Sequence, residues 1–137
     1  MTEILIVEDI DSDAKVLIHA LGVAGIANPV RCLTSGTEAL RYLLDAATIA
    51  PVADSIPSVV FLDLRLPGVH GFEILSQISA MPAFSKTLRI ILSTLDDTKT
   101  IKVAYNFGAQ TFLAKPVRQA DLTELVRAFP AHWIFRH

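Results

Sequence analysis

Short apolar runs that stop at acidic residues are the first pattern along the chain. The run at residues 4–7, Ile-Leu-Ile-Val, is rich in β-branched side chains and predicts a strand buried on both faces, and it breaks off at Glu8 and Asp9. A helix is predicted next, with Asp11 or Ser12 available to cap it and Gly22 or Gly25 to end it. Its apolar positions recur at helical spacing: Ala14, Leu17, Ile18 and Leu21.

The same alternation of strand and helix recurs four more times. Further strands are predicted at residues 30–34, 58–62, 88–92 and 110–114. A capping box, Ser35-Gly-Thr-Glu38, opens the second helix, while Asp97 is placed to cap the fourth and Gly108 to end it. The third helix begins near Phe72, and the fifth carries the apolar positions of residues 122–129 before Pro130. Residues 47–57, with two prolines, predict an irregular connection.

Five such alternations predict an α/β fold with right-handed crossovers, in which helices cover both faces of a parallel, doubly wound sheet. In this architecture a ligand site lies beyond the carboxyl ends of the strands. We therefore expect one site that gathers the polar residues following the first, third, fourth and fifth strands. These residues are Glu8, Asp9, Asp63, Ser93, Thr94 and Lys115.

Composition narrows the class of protein. A length of 137 residues, 52% of them hydrophobic and 19% charged, predicts a single compact domain. A net charge of -2 argues against nucleic-acid binding, and the absence of a long apolar run or leader pattern predicts a cytoplasmic protein with no membrane association. Cys32 is expected to be a small buried side chain. The four histidines are expected on the surface, because their spacing from one another and from Cys32 does not match that of metal ligands.

The predicted site suggests phosphoryl chemistry. Three carboxylates close together repel one another, and a hard divalent cation such as Mg²⁺ relieves this repulsion. An aspartate can act as a nucleophile and form an aspartyl phosphate when a metal and a cation, here Mg²⁺ and Lys115, neutralise the transferring group. The Ser93 hydroxyl can donate a hydrogen bond to a phosphoryl oxygen, which would let it respond to phosphate on Asp63.

These motifs, in this order and over almost the whole chain, resemble the receiver domains of two-component response regulators. The motifs are Glu8-Asp9, Phe-Leu-Asp63-Leu-Arg-Leu-Pro-Gly, Leu-Ser93-Thr94 and Lys115-Pro116. The resemblance implies a flavodoxin-like, CheY-like fold with five parallel strands in the order 2-1-3-4-5. It also implies that the protein is not an enzyme but a phosphorelay protein whose Asp63 accepts a phosphoryl group from a histidine kinase and then switches protein–protein interactions.

The family resemblance also implies a role for each site residue. Asp9 and Asp63 would bind Mg²⁺ or Mn²⁺ directly, Glu8 would act nearby through water, and the backbone carbonyl of Arg65 would be a further ligand. Ser93 would be the switching hydroxyl, Lys115 the phosphate-binding cation and Phe112 the aromatic residue that follows Ser93. The bond before Pro116 would be cis, and Arg65 and Leu95 would tune the lifetime of the phosphate.

The carboxyl-terminal segment leaves two alternatives open. We expect the receiver domain to span residues 1–129, followed by an apolar tail, 130–137, and no output domain. Trp133, Ile134 and Phe135 predict either packing within the chain or a homodimer contact. Here the chain is similar to single-domain regulators associated with bacterial phytochromes, which implies a bacteriophytochrome as the kinase and a homodimer.

Other functions fit the sequence less well. A haloacid dehalogenase-like phosphatase would carry a second aspartate at position 65, where this chain has Arg65. A flavodoxin-like flavin binder would need a hydroxyl- and glycine-rich loop after the first strand, where Glu8, Asp9 and Asp11 would repel phosphate. A constitutive dimeric interaction module, or an intermediate that shuttles phosphate, remains an alternative within the regulator class.

Overall fold

The computed structural model describes residues 3–48, 56–94 and 98–137. Its five strands and five helices alternate along the chain. The strands are β1 (Ile4–Val7), β2 (Val30–Leu33), β3 (Val59–Asp63), β4 (Leu88–Thr94) and β5 (Thr111–Lys115). The helices are α1 (Asp11–Val23), α2 (Gly36–Thr48), α3 (Gly71–Ala80), α4 (Thr98–Asn106) and α5 (Gln119–Ala128).

All four strand pairings in the sheet are parallel, and the strand order is β2-β1-β3-β4-β5. The predicted doubly wound, CheY-like arrangement is therefore confirmed. Alternate side chains of the central strands point to opposite faces, so that Ile6 and Phe61 pack with α1 and α5, whereas Leu5 and Leu62 pack with α2 and α3. Helices therefore bury both faces of the central strands.

The ends of the helices show which local signals decided the structure. Ser35 Oγ accepts a hydrogen bond from the Glu38 backbone at 3.1 Å, as the capping box predicts. Gly25, with φ of +81°, follows the end of α1, and the Gly25 N–H and Ile26 N–H bond back to the carbonyls of Gly22 and Leu21. Of the two glycines, Gly25 therefore ends the helix.

Two local expectations were wrong. Neither Asp11 nor Ser12 caps α1, because the residue at the N-cap is Ile10 and Asp11 is already helical, with its carboxylate paired to Lys15 one turn on at 2.9 Å. Cys32 is exposed because β2 is an edge strand with little covering it. Leu95, Asp97 and most of the irregular connection predicted at 47–57 lie outside the described residues.

The carboxyl-terminal tail folds back against the connection between α1 and β2. Phe135 forms an antiparallel bridge with Ile26, and the Ile134 carbonyl accepts a hydrogen bond from the Ala27 N–H at 2.7 Å. Trp133 is only 7% exposed, and its ring lies 6.3 Å from that of Phe61 in the core. Packing within the chain is thus confirmed for Trp133, which is not available as a dimer contact, whereas Ile134 and Phe135 remain 42% and 46% exposed.

His132 was expected on the surface, but the folding of the tail against the chain partly buries it. The side chain is half-buried, and its backbone carbonyl accepts a hydrogen bond from Ser58 Oγ at 2.8 Å, near the start of β3. The tail therefore covers the amino-terminal end of the sheet, opposite the predicted site. No helix in the described ranges combines the length and apolar character needed to cross a membrane.

Candidate functional site

The carboxyl ends of the strands bring the predicted residues together. Glu8 directly follows β1, Asp63 is the last residue of β3, and Lys115 is the last residue of β5. Ser93 lies within β4, opposite Ala114 in the register with β5. Because the strands are parallel, these four positions meet at one edge of the sheet, as the sequence predicted.

Three carboxylates form the acidic part of this site. Glu8, Asp9 and Asp63 each offer an oxygen atom within 4.8 Å of the others. Glu8 and Asp63 are buried, at 1% and 5% exposed, whereas Asp9 is exposed. Such a cluster of hard oxygen atoms suits Mg²⁺, because the three carboxylates carry more negative charge than the ammonium beside them can neutralise. The residues present therefore fit a divalent cation.

Lys115 supplies that ammonium. Its Nζ lies 2.9 Å from Asp63 Oδ2 and 3.0 Å from Glu8 Oε2, and its side chain is only 15% exposed. Burial alone would lower the pKa of Lys115, but the hydrogen bonds and negative charges of Asp63 and Glu8 outweigh this effect and raise it. Lys115 is therefore a permanent positive charge at the oxygen of Asp63.

Within the cluster, Glu8 is the carboxylate whose negative charge is disfavoured by burial. Burial raises the pKa of its carboxyl from 4.5 to about 7, and the charge of Asp63 adds to the rise, while hydrogen bonds from Lys115 and the Ile10 backbone oppose it. Desolvation disfavours a carboxylate whose charge is incompletely matched. Without a metal, Glu8 is therefore partly protonated near neutral pH.

The loop after β3 is held against both Asp63 and α2. The Arg65 backbone N–H donates a hydrogen bond to Asp63 Oδ1 at 2.9 Å. Farther along, the Pro67 carbonyl accepts a bond from the Gly36 N–H at 3.0 Å. A Cβ on Gly36 would lie 1.8 Å from the Val69 carbonyl oxygen, so only glycine permits this approach. The loop that carries Arg65 is thus fixed from two sides.

A cavity of about 280 Å³ opens over the cluster. Ser93, 7% exposed, lines it and donates from Oγ to the Thr94 carbonyl at 3.3 Å. Phe112 does not line it; the ring is half-buried on β5, beside the separate cavity of about 360 Å³ between β5 and α5. The Lys115–Pro116 peptide bond is cis.

The sequence reasoning missed two polar lining residues, Asp13 and Thr100. Asp13 follows Asp9 by four residues, near the start of a predicted helix, and this spacing was the available signal. Thr100 lies in the first turn of α4 and has no such signal, because only the packing of α4 against the sheet places it at the cavity. Asp13 contributes a third carboxylate to the surroundings of Lys115, beside those of Glu8 and Asp63.

Comparisons with known proteins agree with this site. A family model described as response regulator receiver domain matches residues 4–127. The chain is 31% identical to the probable methanogenesis regulatory protein FilR2 of Methanothrix harundinacea, over 96% of this chain and 83% of that protein.

Two solved structures resemble the chain. The bacteriophytochrome response regulator AtBRR has 27% identity and a TM-score of 0.79, over 100% of this chain and 98% of that one. A response regulator in red light signaling of R. palustris has 28% identity and a TM-score of 0.75, over 98% and 94% of the two chains. The chain therefore belongs to the response regulator receiver domains of two-component signalling.

Proposed function

We propose that Asp63 accepts a phosphoryl group from a phosphohistidine of a histidine kinase, and that the phosphorylated chain then binds its protein partner differently. The observation that carries this proposal is the placement of Lys115 Nζ, 2.9 Å from Asp63 Oδ2, within a site whose three carboxylates suit a divalent cation. Nucleophile and phosphate-binding cation are thus already in contact.

In the proposed transfer, an oxygen of Asp63 forms a bond to phosphorus while the bond between phosphorus and the histidine nitrogen breaks, and the electron pair leaves with the histidine. Lys115 donates to an oxygen of the transferred group, and the Arg65 N–H keeps the other Asp63 oxygen oriented. Asp9, Asp63, the Arg65 carbonyl and, through water, Glu8 would hold Mg²⁺ or Mn²⁺, which when bound neutralises charge on the phosphoryl oxygens.

The proposed output begins at Ser93. Its hydroxyl donates only a long bond, 3.3 Å, to the Thr94 carbonyl, so it can be redirected to a phosphoryl oxygen at little cost. Phe112, half-buried on the neighbouring strand, would then change its packing and alter the surface of α4 and β5.

We further propose a bacteriophytochrome as the kinase, a receiver domain over residues 1–129, and a homodimer that uses the exposed Ile134 and Phe135. The likeness to AtBRR, a bacteriophytochrome response regulator, supports the first of these. Trp133 has no part in such a dimer contact because its side chain is buried.

Incubation with acetyl phosphate and Mg²⁺ tests the phosphoacceptor. The wild type should gain the mass of one phosphoryl group, and Asp63→Asn should gain none. Asp45→Asn, which removes a carboxylate from α2, is the matched control and should label like the wild type. Labelling of Asp63→Asn at the wild-type rate would disprove the proposal. Phosphotransfer from a purified bacteriophytochrome kinase, compared with unrelated histidine kinases, tests the partner.

A further inference from the structure

Asp13 lies in the site although neither the candidate metal group nor the proposed transfer uses it. Its Oδ2 is 3.3 Å from Lys115 Nζ, and it lines the cavity above Asp63. In the described part of the chain, the group that could hold a metal consists of Glu8, Asp9 and Asp63 and does not include Asp13. The contact between Asp13 and Lys115 therefore needs its own explanation.

The hydrogen-bonding capacity of Lys115 is fully used in this structure. An ammonium has three N–H donors, and Nζ lies within 2.9 to 3.3 Å of oxygens from Asp63, Glu8 and Asp13. A phosphoryl group on Asp63 would require one of these donors for its own oxygen. The donor that now contacts Asp63 Oδ2 can turn to that oxygen, but Nζ must then follow the phosphoryl group, and this draws it away from Glu8 and Asp13.

Between Glu8 and Asp13, burial indicates which contact gives way. The Glu8 side chain is 0% exposed, so a Glu8 carboxylate that lost Lys115 would be left buried and less well paired. The Asp13 side chain is 35% exposed and makes the longest of the three contacts, so water can replace the ammonium there. Release of Asp13 is the least costly change.

Asp13 also opposes a phosphoryl group through its charge. Its carboxylate oxygen and that of Asp63 are no more than about 6 Å apart, because both lie within hydrogen-bonding distance of the same nitrogen. Added negative charge on Asp63 would therefore be repelled by Asp13. Competition for Lys115 and repulsion act in the same direction.

We infer that Asp13 is a positioning residue that anchors Lys115 in the unphosphorylated state and competes with the phosphoryl group for it, which lowers the steady-state fraction of phosphorylated protein. This inference rests on the proposed phosphorylation of Asp63. The residue acts through Lys115 and is distinct from the metal ligands.

The test compares Asp13→Asn with Asp11→Asn in the full chain. Both variants remove one carboxylate from the first turn of α1, but Asp11 is 81% exposed and pairs with Lys15 away from the site. Beryllium fluoride, a tetrahedral phosphoryl mimic, is titrated in the presence of saturating Mg²⁺. We expect Asp13→Asn to bind it about 2- to 5-fold more tightly than Asp11→Asn, the range for loss of one partly exposed charge contact. Asp13→Glu should return the affinity toward that of the wild type.

Two further readouts separate this role from a merely structural one. Mg²⁺ affinity without beryllium fluoride should not rise in Asp13→Asn relative to Asp11→Asn, because Asp13 is outside the metal group and its negative charge attracts a cation rather than repelling it. Equal or weaker beryllium fluoride binding by Asp13→Asn would overturn the inference while leaving the phosphoacceptor intact. Failure of the wild type to bind beryllium fluoride at all would instead overturn the proposed function together with it.

Discussion

Replacement of Trp133 by alanine should be among the most damaging single changes in this chain, although the residue is only four positions from the carboxyl terminus of the sequence. A tryptophan side chain buries about 150–250 Å², which at about 25 cal/mol per Å² corresponds to about 4–6 kcal/mol of unfolding free energy. The indole Nε1 is buried with no hydrogen-bond partner among the described residues, which offsets about 1–3 kcal/mol of this. We expect a net loss of about 3 kcal/mol, within a range of about 1–5 kcal/mol.

Urea unfolding followed by far-UV circular dichroism provides the measurement, since the substitution removes the chain's single tryptophan and with it the fluorescence signal. With a slope of about 2 kcal/mol per M, the midpoint should fall by about 1.5 M. Trp133→Phe should cost only about 1 kcal/mol, because it keeps a buried ring and removes the unpaired donor.

Ile134→Ala is the matched control, because Ile134 is the next residue, is apolar and is 42% exposed. It should cost less than about 1 kcal/mol in the monomer. Equal losses for Trp133→Ala and Ile134→Ala would refute the burial argument. A midpoint that rises with protein concentration in the wild type, and no longer does so in Ile134→Ala, would show that the tail also joins two chains.

Three further predictions concern the site and its supports. Burial raises the pKa of Glu8 to about 7 from 4.5, so its contribution to stability is present below pH 4.5 and is lost as pH rises through 7. In EDTA, the wild type should therefore lose up to about 3 kcal/mol of unfolding free energy relative to Glu8→Gln over that pH range. A difference between the two proteins that does not change with pH would contradict this. Gly36→Ala should destabilise the chain by about 1–3 kcal/mol in chemical denaturation, since the new methyl group would clash with the Val69 carbonyl; an unchanged midpoint would show that the loop moves freely. Ser35→Ala should cost about 1 kcal/mol through loss of the bond from the Glu38 N–H, and Ser35→Asp, which keeps an acceptor, should restore most of it.

The sequence by itself determined the architecture and most of the site. Apolar runs of four or five residues that alternate with helical periodicity permit few folds other than a parallel sheet covered on both faces. Once that sheet is expected, the carboxyl ends of its strands must share an edge. The meeting of Glu8, Asp63, Ser93 and Lys115 follows from strand order alone.

Only the tertiary structure decided which side chains are exposed and which residues distant in sequence contact one another. Cys32 lies in an apolar-looking strand, but the place of β2 at the sheet edge leaves it exposed. Trp133 was compatible with a dimer contact or with the core until the backbone pairing of Phe135 with Ile26 fixed the tail. Asp13 became part of the site only when α1 packed on the sheet and brought its carboxylate to Lys115 at the end of β5. Local patterns specify elements and their ends, whereas exposure and long-range ion pairs depend on contacts between residues distant in sequence.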